Sequence, residues 1–250
     1  YAVTGAGYAP HGEYRRVAAA GAAAGRESGT STNGAPGTLD EDLRVALVIG
    51  ARCNSARVQP RKHGGKDWEV IGDPTEGALL VAAMKAGLHR DRDGHSIVCE
   101  LPFDSDRKMM SVLVRRRDGS GVTYTKGAPE VLIERCESER IDGVVRPMTP
   151  ERRRAIAQEC EGWSARALRV LAMAYRDADA STAVPVEDRM VFAGLMGMID
   201  PPRDEAPAAV KTCRAAGIKP VMITGDHPQT AMAIAREIGI AQEQDRVVAG

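Results

Sequence analysis

A β-hairpin signature near the middle of the chain constrains its fold more than any other feature. Two short apolar segments, residues 111–115 and 122–125, flank a polar stretch that contains the step Asp118-Gly119. Asp-Gly is favoured in tight hairpin turns because both residues tolerate a positive φ. The sequence therefore predicts two adjacent antiparallel strands, and with them a sheet, in the first part of the chain.

Helical patterns flank these strands. Residues 39–52 have the apolar spacing of a helix. Asp73 is placed to cap a second helix, with Pro74 at its first position and Glu76 where a capping-box carboxylate would reach back. A longer helix is predicted from Pro150 to about residue 167. Further strands are predicted at residues 97–103, 168–175 and 191–198.

The pattern changes after residue 200. A helical segment at residues 204–216 is followed by a strand-like segment at 219–224 and a second helix that ends near residue 238. Alternation of this kind is typical of parallel, Rossmann-like units. We therefore predict an α+β fold: an antiparallel β-sheet flanked by helices, followed by a partial Rossmann-like α/β unit. The boundary is predicted near residues 196–200.

Composition and charge exclude several classes of protein. Lys plus Arg and Asp plus Glu both total 34, so no strong global field attracts nucleic acid or anionic lipid. With two Phe and two Trp, the core must consist of Ala, Val, Leu, Ile and Met. Five scattered cysteines without a CxxC pair favour reduced thiols and a cytosolic environment over a disulfide framework or a zinc site. No apolar run approaches the ~18–20 residues that span a bilayer. Tyr1 is not an initiator methionine, so we expect the chain to be part of a longer protein.

Two segments are candidates for ligand binding. Lys126 follows a predicted strand and precedes a helix that begins at Pro129, which places it beside N–H groups that favour an anionic ligand. On the pattern alone, a surface lysine at a strand end is the alternative. Phe103 precedes a charged cluster that includes Arg107 and Lys108, so it could stack on a purine while the cations lie near phosphates or in ion pairs. The alternative buries Phe103 in the core.

Two aspartate positions suggest phosphoryl chemistry. Asp104 and Asp106 resemble the paired aspartates of haloacid dehalogenase-type enzymes, but two cations follow them where that motif has a small hydroxyl residue. Thr224 and Asp226 follow a predicted parallel strand, where open sheets place their ligands. An ordinary turn is the alternative there.

Six short motifs occur in a fixed order along the chain. They are Gly72-Asp73-Pro74-Thr75-Glu76-Gly77-Ala78-Leu79, Leu101-Pro102-Phe103 through Met109, Lys126-Gly127-Ala128-Pro129-Glu130, Leu168-Arg169-Val170-Leu171-Ala172, Asp200-Pro201-Pro202-Arg203 and Thr224-Gly225-Asp226. In this order they resemble the large cytoplasmic region of type II P-type cation-transporting ATPases, the calcium-pump-like group. Each motif alone is weak, whereas the ordered set is specific and covers nearly the whole chain.

The resemblance implies an ATP site. The implied nucleotide-binding residues are Glu76, Phe103, Lys108, Lys126, Gly127 and Arg169. Phe103 would stack on adenine, Glu76 would bond near the adenine amino group, Lys126 would line the base and ribose end, and Arg169 would reach toward the phosphates. Ser105 stands where the family often has an arginine, so one phosphate contact is missing.

The resemblance also implies two domains: a nucleotide-binding domain at 1–197 and part of the phosphorylation domain, a haloacid dehalogenase-like α/β unit, at 198–250. The implied hinge is Asp200, Pro201, Pro202 and Arg203. Thr224 and Asp226 would face the phosphorylation site as supporting catalytic residues. The phosphorylated Asp-Lys-Thr-Gly-Thr motif and the Gly-Asp-Gly-x-Asn-Asp motif do not occur in these 250 residues. We therefore expect the chain to bind ATP, as MgATP, without holding the metal itself and without forming the phosphoenzyme.

The implied partners are ATP and the remaining phosphorylation, actuator and transmembrane domains of a parent pump, with no nucleic acid. This places the chain at the cytoplasmic face of a membrane. Ca²⁺ is the expected cation, with Na⁺, K⁺ and Mn²⁺ open. Two alternatives remain: a haloacid dehalogenase-like phosphohydrolase, for which no suitable nucleophilic aspartate is found, and a non-enzymatic nucleotide-sensing or partner-docking module, which would use the same binding residues.

Overall fold

A computed structural model gives the fold of the chain. It describes residues 1–5, 7–17, 39–61, 68–90, 94–166, 168–199, 205–223, 228–242 and 245–246. The chain divides into two compact units. The first comprises Tyr1–Thr149 and Leu171–Leu195, and the second comprises Pro150–Val170 and Met196–Gly250. The predicted domain boundary at 197/198 stays a prediction.

Strands and helices alternate irregularly along the described residues. The strands are β1 Ala2–Val3, β2 Tyr14–Arg15, β3 Arg57–Pro60, β4 Trp68–Ile71, β5 Ser96–Asp104, β6 Met109–Arg115, β7 Gly121–Gly127, β8 Cys136–Ile141, β9 Val144–Pro147, β10 Arg169–Ala178 and β11 Met190–Met198. The helices are α1 Glu41–Arg52, α2 Pro74–Lys85, α3 Pro129–Leu132, α4 Pro150–Ser164, α5 Ala206–Ala215 and α6 Pro228–Glu237.

A seven-stranded sheet in the order β5-β6-β7-β10-β11-β8-β9 forms the centre of the fold. The hairpin β6–β7 turns at Gly119, which has a φ of 85°, as the Asp-Gly step predicts. Pairing is antiparallel along β5-β6-β7-β10 and between β8 and β9, whereas β8 and β11 are parallel. The predicted antiparallel sheet with flanking helices is thus confirmed, with one parallel pair added.

The core lies around β6 and β7, which are buried along almost their whole length. Helix α1 packs against α2 and against β7. The largest fully buried side chains are Leu47, Ile49, Leu79, Met109, Met110, Leu113, Leu132, Met173, Met190, Val112, Val114 and Val122. All of them are aliphatic or Met, as the scarcity of aromatic residues predicts.

The second unit contains α4, α5 and α6. The strand predicted at residues 219–224 is wrong for 219–223, which form no strand. Val221 is 73% exposed and Ile223 is 94% exposed. A parallel strand is stable only between hydrogen-bonded neighbours on a buried sheet, and the described residues offer this segment no strand to pair with. Nowhere in the described ranges is a helix long and apolar enough to cross a membrane.

Candidate functional site

The candidate site is built around a buried ion pair between Lys126 and Glu76. Lys126 is the penultimate residue of β7, and Glu76 lies in the first turn of α2. The Lys126 Nζ is 2.5 Å from the Glu76 Oε1, and the two side chains are only 7% and 15% exposed. The surface-lysine alternative is therefore wrong. The predicted place of Lys126 beside the N–H groups at the start of α3 stays a prediction, and its ammonium group has a carboxylate partner within the chain.

The second oxygen of Glu76 binds the segment that follows α1. Its Oε2 accepts hydrogen bonds from the backbone N–H groups of Ser55 at 2.9 Å and Ala56 at 3.1 Å. Asp73 caps α2 through bonds from the N–H groups of Thr75 and Glu76, as predicted. The capping-box role of Glu76 is wrong, because both of its carboxylate oxygens bond groups outside the helix, and one of these groups is a charged ammonium.

Gly127 allows the ends of β6 and β7 to approach closely. A Cβ at this position would lie 2.7 Å from the carbonyl oxygen of Lys108 and 2.7 Å from the Cβ of Met109. Just beyond β7, the N–H of Ala128 donates to the same Lys108 carbonyl at 2.9 Å. Gly127 is therefore needed for the close packing of the two strand ends, and its role in nucleotide binding stays a prediction.

Phe103 lies on the surface near the end of β5, at the same end of the sheet as Lys126. It is 63% exposed, so the alternative that buries it in the core is wrong. The turn after it is held by the Asp104 carboxylate, whose Oδ1 accepts from the N–H groups of Asp106 at 3.0 Å and Arg107 at 2.9 Å. These two bonds hold the pKa of Asp104 below its ordinary value. The Asp104–Asp106 pair is thus explained by turn geometry.

Lys108 closes this turn in a left-handed conformation with a φ of 51°. Its Nζ lies 3.2 Å from the Oε1 of Glu130, in the first turn of α3, and both side chains are exposed. The strand register sets Asp104 opposite Met109 and Met109 opposite Gly127. Neighbouring strands lie about 4.8 Å apart, so the ends of β5, β6 and β7 form a strip on the order of 10 Å wide.

The other predicted site residues are Arg169 and residues from position 200 onward. Arg169 is the first residue of β10 and belongs to the second unit, so its role stays a prediction. The implied hinge (Asp200, Pro201, Pro202 and Arg203) and the supporting residues Thr224 and Asp226 lie outside the described residues. Within the described part of the chain, no group of three or more His, Cys, Asp or Glu side chains could hold a metal ion.

Two parts of the cluster were not predicted from the sequence. Ser55 and Ala56 follow α1 in a segment that has no recognisable sequence motif. Their N–H groups reach Glu76 only because the chain folds back on itself. Cys53 lies near the ion pair and is fully buried, with its Sγ 3.1 Å from the carbonyl oxygen of Met110. Burial raises the pKa of this thiol to about 12, so it is a neutral core group.

Comparison with known proteins identifies the family of the chain. A family model described as "P-type ATPase, cytoplasmic domain N" matches residues 42–205, which include Glu76, Phe103 and Lys126. The chain belongs to this family of P-type ATPase N domains. The resemblance predicted from the ordered motifs is thereby confirmed.

Several bacterial ATPases are similar to the chain. A calcium-transporting ATPase of Bacillus subtilis (strain 168) is 37% identical over 253 residues, covering 99% of this chain and 26% of the relative. Cation-transporting ATPase pma1 of Synechocystis sp. is 41% identical over 255 residues, which again cover 99% of this chain and 26% of the relative. Calcium-transporting ATPase 1 of Bacillus cereus is 43% identical over 211 residues, which cover 83% of this chain and 23% of the relative. The chain thus spans about a quarter of the length of these relatives.

Proposed function

We propose that the first unit binds ATP and serves as the nucleotide-binding part of a cation-transporting P-type ATPase. Bound there, the nucleotide would present its γ-phosphate to an aspartate outside this chain. Ca²⁺ is the proposed cation, because two of the relatives described above are named calcium-transporting ATPases. The proposed setting is the cytoplasmic face of a membrane, with the other domains of the pump as partners.

The observation that carries this proposal is the exposed ring of Phe103 on a hydrogen-bonded turn. An aromatic ring that is 63% exposed and followed by cations is a surface on which a purine can stack. Lys108 lies at the other end of the turn, and its ammonium group could exchange the exposed Glu130 for a phosphate. The Lys126–Glu76 pair would form the floor below the base, with polar atoms that can bond its edge.

Arg169 is proposed as a further contact to the phosphates, and residues 200–203, Thr224 and Asp226 keep the hinge and supporting roles that the resemblance implies. A Mg²⁺ ion accompanying ATP would be held by the phosphates and by groups beyond the described residues. On its own, the chain is expected to bind ATP without hydrolysing it, because the nucleophile, the metal site and in-line geometry are all required together.

The test is calorimetric titration of ATP into the 250-residue chain and into its Phe103→Ala variant. Stacking of a base on an aromatic ring contributes about 1–3 kcal/mol, so we expect Kd to rise at least about fivefold. Val145→Ala is the matched control, because Val145 is also an exposed apolar residue but lies on the edge strand β9. Equal Kd values for the parent chain and Phe103→Ala would overturn the proposed site.

A further inference from the structure

A carboxylate from the loop between β10 and β11 reaches the turn that presents Phe103. The Oε1 of Glu187 accepts a hydrogen bond from the Nη1 of Arg107 at 2.5 Å and another from the Oγ of Ser111 at 2.7 Å. Its backbone carbonyl accepts a third from the Nη1 of Arg135 at 3.1 Å. The Glu187 side chain is only 12% exposed. This loop residue is therefore fixed at both its side chain and its main chain.

Arg107 carries that constraint to Phe103. Its Nη2 donates to the carbonyl oxygen of Pro102 at 2.6 Å, and this carbonyl belongs to the peptide that joins Pro102 to Phe103. Its backbone N–H donates to the Asp104 carboxylate at 2.9 Å. Arg107 thus contacts the residue before Phe103 through its guanidinium group and the residue after Phe103 through its main chain. Glu187 holds the guanidinium group by a further hydrogen bond.

The other end of the network is anchored in the sheet. The Oγ of Ser111 on β6 lies 2.8 Å from the Oγ1 of Thr125 on β7, and both residues are fully buried. Side chains alternate between the two faces of a strand, so Ser111 and Thr125 face away from the side on which Lys126 meets Glu76. Glu187 therefore reaches the turn from the sheet face opposite the Lys126–Glu76 pair.

We propose that Glu187 is a positioning residue for the nucleotide: through Arg107 it fixes the turn at residues 104–107 and with it the orientation of Phe103. This inference rests on the proposed ATP site. A charge-assisted hydrogen bond in a largely desolvated setting is among the strong ones. An aromatic ring that is already oriented loses less conformational freedom when a base stacks on it, which strengthens binding.

The test compares ATP binding to Glu187→Gln with ATP binding to the parent chain. Glutamine keeps the size of the side chain and removes its charge. We expect Kd to rise about two- to tenfold, the effect of freeing one ordered side chain. The decisive measurement is the combination with Phe103→Ala. If Glu187 acts through the ring, Glu187→Gln will weaken binding no further once Phe103 is absent.

Asp177→Asn is the matched control. Asp177 pairs with Arg116 at 2.7 Å on the same sheet but beside the hairpin turn at the far end of β6 and β7, so its loss should leave Kd unchanged. Melting temperatures recorded for all variants separate a stability effect from a positioning effect. A Glu187→Gln chain that melts earlier but binds ATP as tightly as its parent would overturn the inference. An equal loss of affinity with and without Phe103 would overturn it too.

The two proposals fail in different ways. If the parent chain binds ATP and Phe103→Ala weakens binding while Glu187→Gln does not, the ATP site stands and the positioning role is refuted. If the parent chain binds no ATP, the proposed function is refuted and the role of Glu187 is refuted with it.

Discussion

Replacing Lys126 with methionine should destabilise the first unit by several kcal/mol. The substitution keeps the stem of the side chain and removes the charge that lies 2.5 Å from the Glu76 carboxylate. Removing one partner of a buried ion pair costs about 3–5 kcal/mol, because the remaining charge stays buried without a counter-ion. Glu76 keeps the N–H groups of Ser55 and Ala56 at 2.9 and 3.1 Å. We therefore expect a loss at the lower end of this range, about 3 kcal/mol.

Urea denaturation followed by tryptophan fluorescence measures this loss. The chain has two tryptophans, Trp68 in the first unit and Trp163 in the second. A Trp163→Phe background leaves Trp68 as the only reporter, on strand β4, which contacts α2. With a slope of about 2 kcal/mol per molar urea, a loss of about 3 kcal/mol lowers the midpoint by about 1.5 M.

The double variant Lys126→Met/Glu76→Gln provides the control. It removes both charges, so no buried ion is left unpaired, and it should be clearly more stable than the sum of the two single effects implies. A loss below about 1 kcal/mol for Lys126→Met, or strict additivity of the two substitutions, would refute the reasoning. The expected instability also means that Lys126 variants are poor tests of ATP binding, which is why Phe103 is preferred for that purpose.

Three further predictions concern groups around the site. Gly127→Ala should destabilise the first unit by about 1–3 kcal/mol, because the added Cβ would lie 2.7 Å from the carbonyl oxygen of Lys108. Gly162→Ala is the control: its Cβ meets no atom within 4 Å, so it should stabilise α4 by up to about 1 kcal/mol. Urea denaturation measures both changes, and equal effects would contradict the packing argument. Glu130→Gln should strengthen ATP binding about two- to fivefold by releasing the Lys108 ammonium group toward the phosphates, and titration that finds unchanged or weaker binding would count against this role. The Cys53 thiol should resist an aromatic disulfide reagent in the native chain at mildly alkaline pH, because burial raises its pKa to about 12; reaction as fast as in urea would contradict this.

Local features of the fold could be predicted from the sequence because their causes are local. The hairpin follows from the conformational freedom of the Asp118-Gly119 step, and Gly119 indeed has a φ of 85°. The start of α2 follows from a carboxylate and a proline, since Asp73 caps the helix and Pro74 is its first residue. Each of these needs only residues within a few positions of one another.

The candidate site could be predicted only in part, because its contacts join distant parts of the chain. Lys126 and Glu76 are 50 residues apart, and no periodicity indicates that they meet. Glu187 comes from a loop without a recognisable motif and reaches Arg107 from 80 residues away. The strand predicted at residues 219–224 is wrong for residues 219–223, because it too depends on distant partners. An apolar pattern specifies a tendency, whereas a strand requires hydrogen-bonded neighbours.

The two lysines of the site therefore differ in what they can offer a ligand. Lys126 is tied to Glu76 in a desolvated pair, and withdrawing it leaves a buried charge, at a cost of about 3–5 kcal/mol. Lys108 is paired with Glu130 in solvent, where such a contact contributes only about 0–1 kcal/mol. Phosphate binding can thus redirect Lys108 at little expense in stability, while Lys126 stays in place. In the proposed ATP complex, Lys108 meets the phosphates, and Lys126 acts with Glu76 as a fixed polar floor for the base.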